Sequence, residues 1–256
     1  MVIQELVDKF KTDGYAVFDL ENFNEVIDEI NVDIDQLVES GEFRTNSKIY
    51  SYNSAPRIVE AWRFSEAVKS LAFNNQVLQL IEALFGEKPK PFSTINFVRS
   101  TQQPLHSDYI HFGTVPHLML VAAWVALEDI DARSGPLQVV PKSQKLPPVC
   151  FSDLQLPVAR SLGDVKRHYE HYENWVKANV QKIELTAITP TMQKGQVLIW
   201  DANLLHGSPE CLDNSLSRRS QVTHYHFEST KVFYSPAFSR IHEGQYVKRN
   251  VNFIPE

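Results

Sequence analysis

The sequence predicts a mainly β fold, a sandwich or barrel, with helices packed outside it. Residues 92 to 227 hold a series of short strand-like runs separated by turn signals: Ser134-Gly135-Pro136, Pro147-Pro148, Lys194-Gly195 and Ser208-Pro209. Short strands with such punctuation favour sandwiches and barrels. Residues 1 to about 90 instead carry apolar side chains at helical spacing. The whole chain, 256 residues with 43% apolar side chains, is the size of one large domain with a substantial core. The expected organisation is therefore a single domain over 1–256. A helical part covers about 1–90, a β core about 91–230, and a helical insert about 158–182.

The elements follow in order. Ile3, Leu6, Val7 and Phe10 repeat as one face of a helix over 3–12, which Asp13-Gly14 ends. Tyr15 to Phe18 reads as a strand. A second helix over 24–39 aligns Val26, Ile27, Ile30, Ile34, Leu37 and Val38, with Gly41 beyond it. A third helical stretch over 65–85 breaks near Asn74-Asn75 and closes at Gly86. Strands are expected over 94–98, 117–127, 137–140, 183–189, 196–200 and 219–227. One segment breaks the β pattern. Leu162, Val165, Tyr169, Tyr172, Val176 and Val180 have helical spacing over 161–181, and the other face carries Lys166, Arg167, His168, His171 and Lys177. That face reads as solvated. A long insertion in a compact domain is also where a lid over a site would sit.

Composition excludes several function classes. With 31 acidic and 25 basic side chains the net charge is -6, which argues against a general nucleic-acid binder. The longest apolar run, Leu118 to Leu127, is too short to span a bilayer, so no membrane partner is expected. The N-terminal stretch carries acids and does not read as a signal peptide. Cys150 and Cys211 are the only cysteines, no framework of disulfides, which points to a reducing, cytoplasmic setting.

The chemistry concentrates at Leu105-His106-Ser107-Asp108-Tyr109. On extended backbone, residues i and i+2 share a side, so His106 and Asp108 would aim an imidazole and a carboxylate at one point. His206, at the end of the apolar run Ile199 to Leu205, is a third ligand candidate. Two imidazoles and one carboxylate hold one face of an octahedral metal and leave the other face open. This arrangement suits non-haem Fe(II). Arg218 follows His206 and opens the run Arg218 to Tyr225; an inward guanidinium there can grip a carboxylate with two parallel hydrogen bonds. Ser208 can bond the same carboxylate.

These pieces together resemble the phytanoyl-CoA dioxygenase (PhyH) family of Fe(II)/2-oxoglutarate-dependent oxygenases. The resemblance is carried by Leu105-His106-Ser107-Asp108, Trp124 to Asp129, Ser134 to Gln144, Lys194 to Val197, His206-Gly207-Ser208 and the Arg218 strand, in family order over about 92–227. Pro141-Lys142-Ser143-Gln144 departs from the family's Pro-Gly-Ser-His turn but removes no ligand. The resemblance implies a double-stranded β-helix, the cupin-like jelly roll, with the N-terminal helices packed on one sheet and the inserted helix placed like a lid. It implies His106, Asp108 and His206 as iron ligands. Arg218 and Ser208 would bind the distal carboxylate of 2-oxoglutarate, and Trp124 would stand beside it. Asn96, on the strand before the triad, is a further candidate contact.

The implied function is a dioxygenase that hydroxylates or otherwise oxidises an unactivated C–H of a small molecule, with Fe(II), 2-oxoglutarate and O2. Halogenating relatives resemble this pattern but carry a small residue in place of the carboxylate, so Asp108 favours hydroxylation. Tyr109, His111 and Phe112 are candidates for the substrate pocket. Arg44, Lys48, Tyr50, Arg57, Arg63, Arg240 and His242 hint at an anionic substrate, but scattered charges usually mark solvated surface, and no substrate follows from them. Two rival readings use the same residues: a cupin-type metal-dependent isomerase or hydrolase, and a non-catalytic jelly-roll binding protein.

Overall fold

The computed structural model describes residues 2–45 and 56–256. Helix α1 (Ile3–Asp13) leads into strand β1 (Tyr15–Asp19), followed by α2 (Asn24–Ser40), β2 (Arg44–Thr45) and β3 (Arg57–Val59). Helices α3 (Glu66–Ala72) and α4 (Asn75–Phe85) precede β4 (Pro89–Phe97), β5 (Gly113–Val115), β6 (Val121–Ala126) and β7 (Gln138–Val139). Helix α5 (Leu162–Val180) interrupts the strands, which resume as β8 (Gln196–Asp201), β9 (His206–Gly207), β10 (Ser220–Phe227) and β11 (Val232–Tyr234). Helices α1, α2 and α4 stop where the next residue, Gly14, Gly41 or Gly86, turns left-handed. The break inside 65–85 is a side-chain cap: the Asn74 carboxamide accepts from the backbone N–H of Gln76 and Val77.

The main sheet is antiparallel and ordered β1-β8-β6-β10-β4-β3-β2; β5 pairs with β11, and β7 with β9. Strands β4 to β11 make the jelly roll. Alternation along each strand divides the interior. Val121, Ala123 and Val125 of β6, Val197 and Ile199 of β8, and Tyr225 and Phe227 of β10 pack with Ile27, Ile30, Leu71 and Leu80 of the helices. Ala122 and Trp124, Leu198 and Trp200, and Val222 point the other way, into the roll. Helix α5 covers a third cluster through Tyr169, Tyr172 and Val176, against Ile110, Val140, Phe151 and Leu205.

Two expectations need correction. The strand over 183–189 does not form; only Ile188 bridges, to Val139. The strand expected from 117 begins at Val121, because Leu118 takes a left-handed conformation (φ 63°) just after Pro116. The short strands β2, β3, β5, β9 and β11 carried too little alternation to be read. Lys48 and Tyr50 lie outside the described residues. Cys150 and Cys211 are free thiols, and among the described residues no helix is long and apolar enough to cross a membrane.

One fold-borne titration can be tested. His226 stacks on Phe92 with ring centroids 4.1 Å apart, and its Nδ1 bonds to the Met119 carbonyl at 3.0 Å. Burial pushes its pKa down to about 3. The unfolded chain takes up this proton near its usual pKa of about 6.5, so stability contributed by the neutral ring is present above that pH. It should fall by a few kcal/mol at most as pH drops from about 6.5 towards 3. His226→Phe should flatten that part of the slope in urea unfolding curves taken across the range.

Candidate active site

The site forms where two backbone segments meet edge to edge. His106 N–H donates to the His206 carbonyl and His206 N–H to the His106 carbonyl, both at 2.9 Å, making an antiparallel bridge. Two residues on, Ser208 N–H donates to the Gln103 carbonyl at 2.9 Å. Gly207 permits this approach: a Cβ there would lie 2.8 Å from the Gln103 carbonyl oxygen and 3.0 Å from Leu105 N. Ser107 is extended (φ -105°, ψ 152°), so His106 and Asp108 point to one side, as the His-x-Asp spacing requires.

The ligand atoms of His106, Asp108 and His206 all lie within 4.8 Å of one another, and all three residues are buried. His206 Nε2 is 3.8 Å from Asp108 Oδ1. Each histidine spends Nδ1 on a backbone carbonyl, His106 on Pro104 at 2.8 Å and His206 on Leu204 at 3.0 Å. That fixes Nε2 as the bare nitrogen facing the centre. Burial, above all, keeps both imidazole pKa values below the ordinary histidine value, with Asp108 opposing. Asp108 is held ionised: burial alone would raise its pKa, but the imidazoles of His206 and His224 outweigh burial and lower it. Its second oxygen, Oδ2, accepts from the Trp200 indole N–H at 2.8 Å and lies 3.6 Å from His224 Nε2. Two neutral imidazoles and one anchored carboxylate therefore converge; the His106 Nε2 lone pair meets the Gln103 carboxamide nitrogen at 3.0 Å, a contact that metal binding would replace. This donor set fits a divalent transition metal and leaves coordination positions open on the cavity side.

The cavity beside the triad is about 410 Å³. Arg218 and Ser208 line it, and so does Trp124. Arg218 is 3% exposed. Its Nη1 donates to Ser220 Oγ at 2.8 Å, while the buried Nε has no partner among the described residues. The guanidinium lies 5.2 Å from the Phe97 ring centroid and 5.8 Å from that of Trp124. Burial lowers its pKa to about 10, with the charge of Arg57 adding to the effect, so it stays cationic at neutral pH. Arg219 turns to the other face and pairs with Asp35 at 2.7 Å, as strand alternation demands.

The substrate-pocket candidates divide. His111 and Phe112 line the cavity. His111 arrives there because the chain turns at Asp108 into a 3-10 helix (Asp108–Ile110), which brings residues three apart onto one face. Burial pushes its pKa down to about 3, and its Nε2 meets the Tyr169 hydroxyl at 3.1 Å. Tyr109 is not brought to the cavity; it is buried against His117. Asn96 is not brought there either. It sits on the helix-facing side of β4, donating to Gln221 Oε1 at 3.1 Å, while its neighbours Ile95 and Phe97 face the cavity.

Five residues in or beside the cavity escaped the sequence reading. Trp200 anchors Asp108 from the inward face of β8; the inward alternation of that strand was the available signal. Gln103 bridges three groups: its Nε2 lies 3.0 Å from His106 Nε2 and donates to the Tyr169 hydroxyl at 2.7 Å, while its Oε1 accepts from Arg57. His224 shares the parity of Arg218 and Val222 along β10. Tyr169 and Tyr172 reach in from α5; the Tyr172 hydroxyl accepts from Ser107 N–H at 3.1 Å.

The sequence model of the phytanoyl-CoA dioxygenase (PhyH) family matches residues 10–220. Similar relatives include the peroxisomal phytanoyl-CoA dioxygenases of Rattus norvegicus, 25% identical over 65% of this chain and 43% of that protein, and of Homo sapiens, 23% identical over 75% and 49%. The chain thus spans under half the length of these relatives. Among solved structures it is similar to SnoK, a non-heme alpha ketoglutarate dependent carbocyclase from nogalamycin biosynthesis (TM-score 0.68, 15% identity, covering 98% of this chain and 96% of that one). It is also similar to EctD from S. alaskensis with 2-oxoglutarate and 5-hydroxyectoine (TM-score 0.68, 17% identity, covering 97% and 84%). At such identities the likeness is one of fold.

Two variants test the support of the triad. Trp200→Phe removes the donor to Asp108 Oδ2 and should weaken Mn(II) binding by about 10–100-fold in calorimetric titration; unchanged affinity means the carboxylate is aimed by something else. Gly207→Ala should push apart the 103–105 and 206–208 segments and cost a comparable loss of metal affinity in a protein whose far-ultraviolet spectrum stays native. Retained affinity would show that the bridge tolerates a Cβ.

Proposed function

Because the chain belongs to the phytanoyl-CoA dioxygenase family, matched over residues 10–220, we propose that it is a non-haem Fe(II)- and 2-oxoglutarate-dependent dioxygenase. Its substrate is a small molecule oxidised at an unactivated C–H. The observation that carries this reading is one cavity holding both the buried His106, Asp108, His206 cluster and the buried Arg218 guanidinium. A metal site alone would suit a cupin-type isomerase or a binding protein, but Arg218 and Ser208 would then have no task.

Iron with 2-oxoglutarate and O2 supplies the oxidising power, and 2-oxoglutarate leaves as succinate and CO2. The protein does the rest. His106 Nε2, Asp108 Oδ1 and His206 Nε2 would hold the metal. Arg218, through Nε and its remaining donors, and Ser208 would hold the distal carboxylate, with Trp124 beside it. Trp200 keeps Asp108 Oδ2 occupied, which leaves Oδ1 to serve as the ligand atom. His111 stays neutral at working pH and keeps its hydrogen bond to Tyr169 rather than adding charge beside the metal. The buried walls exclude water, which would otherwise compete for the open positions and quench the oxidant.

Hydroxylation is favoured over halogenation because the Asp108 carboxylate fills the place that a halide would need. Solved structures of this fold include an epimerase and a carbocyclase, so the outcome here depends on how the substrate lies. We read the helical part, the β core and the insert as one domain, since β1 extends the same sheet as β8. The free thiols support a reducing, cytoplasmic setting.

The test is anaerobic. Fe(II) followed by 2-oxoglutarate should give the weak visible charge-transfer band of a chelating 2-oxo acid. Asp108→Ala should abolish the band together with turnover, and Arg218→Lys should raise the 2-oxoglutarate needed by about 10–100-fold at unchanged iron requirement. Iron binding without any band removes the 2-oxoglutarate assignment.

A further inference from the structure

We propose that Cys150, Asp153 and His242 form a second metal site, which takes Zn(II) and pins the C-terminal segment to the loop ahead of α5. The three residues lie outside the triad cavity, and the site does not depend on the oxygenase reading. Two separate turns bring the donors together. Residues 150–153 fold back on themselves: the Asp153 N–H donates to the Cys150 carbonyl at 3.2 Å, and the Cys150 N–H donates to Asp153 Oδ2 at 2.7 Å. The thiol and the carboxylate are thereby held at one edge of the turn. His242 comes from a 3-10 turn (Ile241–Glu243) at the tip of a hairpin. Arg240 and Gln245 close that hairpin with reciprocal backbone bonds of 2.9 and 3.1 Å.

The three donors touch in series. Cys150 Sγ donates to Asp153 Oδ2 at 2.9 Å, and His242 Nε2 lies 2.8 Å from Asp153 Oδ1. One ligand atom from each residue lies within 4.8 Å of the other two, and among the described residues the triad is the only other such cluster. The donor set names the ion. A thiolate, an imidazole and a carboxylate suit tetrahedral Zn(II) and leave its fourth position to water. Thiolate and carboxylate together balance the charge of a dication, so the loaded site carries no net charge. Bonds of about 2.3 Å to sulfur and about 2.0–2.2 Å to nitrogen and oxygen put tetrahedral neighbours roughly 3.3–3.6 Å apart. The contacts of 2.8 and 2.9 Å need open only slightly to admit the ion. His242 can give way, because its side chain is 61% exposed. Cys150 is buried, and burial together with its bond to Asp153 raises its pKa. It therefore stays a thiol until a metal arrives. Binding then exchanges the S–H bond for a sulfur–metal bond, and one proton passes to water.

Position gives the site a task. A cleft of about 490 Å³ opens beside His242 and Ser152 and gives the ion and its water access. Arg240, on the same hairpin, is occupied by Glu243 at 3.3 Å. Four residues before His242, Phe238 lines the triad cavity. Its neighbour Ala237 accepts the Ala159 N–H at 2.9 Å, just ahead of α5. An ion joining residue 150 to residue 242 holds in place the wall that carries Phe238.

The experiment uses the full chain, reduced and stripped of metal, with Co(II) as a coloured stand-in for Zn(II). The triad has no sulfur, so only a cysteine site gives the near-ultraviolet thiolate-to-cobalt charge-transfer band. That band should appear, and Zn(II) should displace it. Cys211→Ser should keep the band and Cys150→Ser should lose it. In an Asp108→Ala background, which disables the triad, calorimetry in two buffers should show one equivalent of Zn(II) bound with about one proton released. His242→Gln, at an exposed position, and Asp153→Asn should each weaken that binding at least about ten-fold. Both should also lose the rise in Tm that Zn(II) gives the parent protein. No band in a protein whose thiols are reduced, a band that follows Cys211 instead, or a Zn(II) affinity that His242→Gln leaves unchanged overturns the site.

Discussion

The reciprocal backbone bridge between His106 and His206 is the constraint on which the site depends. Two hydrogen bonds at 2.9 Å place two ligand-bearing residues from distant parts of the chain directly opposite each other. In an antiparallel pair this fixes the spacing and the side on which both side chains emerge. The imidazole rings consequently lie 4.4 Å apart, centroid to centroid. Asp108 is then placed by the extended Ser107, and His111 by the 3-10 turn that follows. The bridge itself requires Gly207, because the 103–105 backbone occupies the space where a side chain would be. A glycine beside His206 is thus a packing requirement of the candidate metal site.

A second constraint is the alternation of the main sheet. Its helix-facing side packs an aliphatic and aromatic layer against the helices, with Asn96, Gln221 and Thr223 hydrogen-bonded to one another and Gln221 donating to the Val68 carbonyl of α3. Its inward side carries Trp124, Trp200, Arg218, Val222 and His224 into the cavity. Burying a guanidinium such as Arg218 is costly unless it is paired or hydrogen-bonded, so the fold must hold it in the cavity. β10 does this by being central in the sheet, with β6 and β4 on either side. The pair Arg218 and Arg219 shows the principle at one-residue resolution. Odd and even positions send one cation into the site and the other to Asp35 on the surface.

Much of this was legible in the sequence. Strong helical periodicity and glycine or asparagine punctuation gave α1, α2, α3, α4 and α5 within a residue or two, and strict spacing gave His106 and Asp108. Legibility failed where position depends on contacts between distant segments. Asn96 read as a contact because it precedes the triad, yet its parity within β4 sends it to Gln221. Tyr109 and His111 both read as pocket candidates, His111 through an extended strand running on past Asp108; the chain turns there instead, and only His111 reaches the cavity. Arg57 read as one of several loop cations, because β3 has three residues and shows no alternation of its own; only its pairing with β4 carries it inside. Trp200 read as core, which it is, but its indole N–H also needs a partner when buried, and Asp108 is that partner.

The inserted helix completes the wall of the site. Its apolar stripe was legible, but two of its tyrosines do more than pack. The Tyr169 hydroxyl meets Gln103 and His111, and the Tyr172 hydroxyl meets the backbone N–H and hydroxyl of Ser107. These contacts fall on both sides of the ligand pair His106 and Asp108. A lid that opened with each turnover would have to break all of them and expose Tyr169, Tyr172 and Val176, which are almost fully buried. Burial of that extent, together with hydrogen bonds to the ligand loop, makes the middle of α5 a fixed support for the triad. Only its first turn reaches the cavity mouth, where Leu162 is exposed and Val165 lines the cavity behind it.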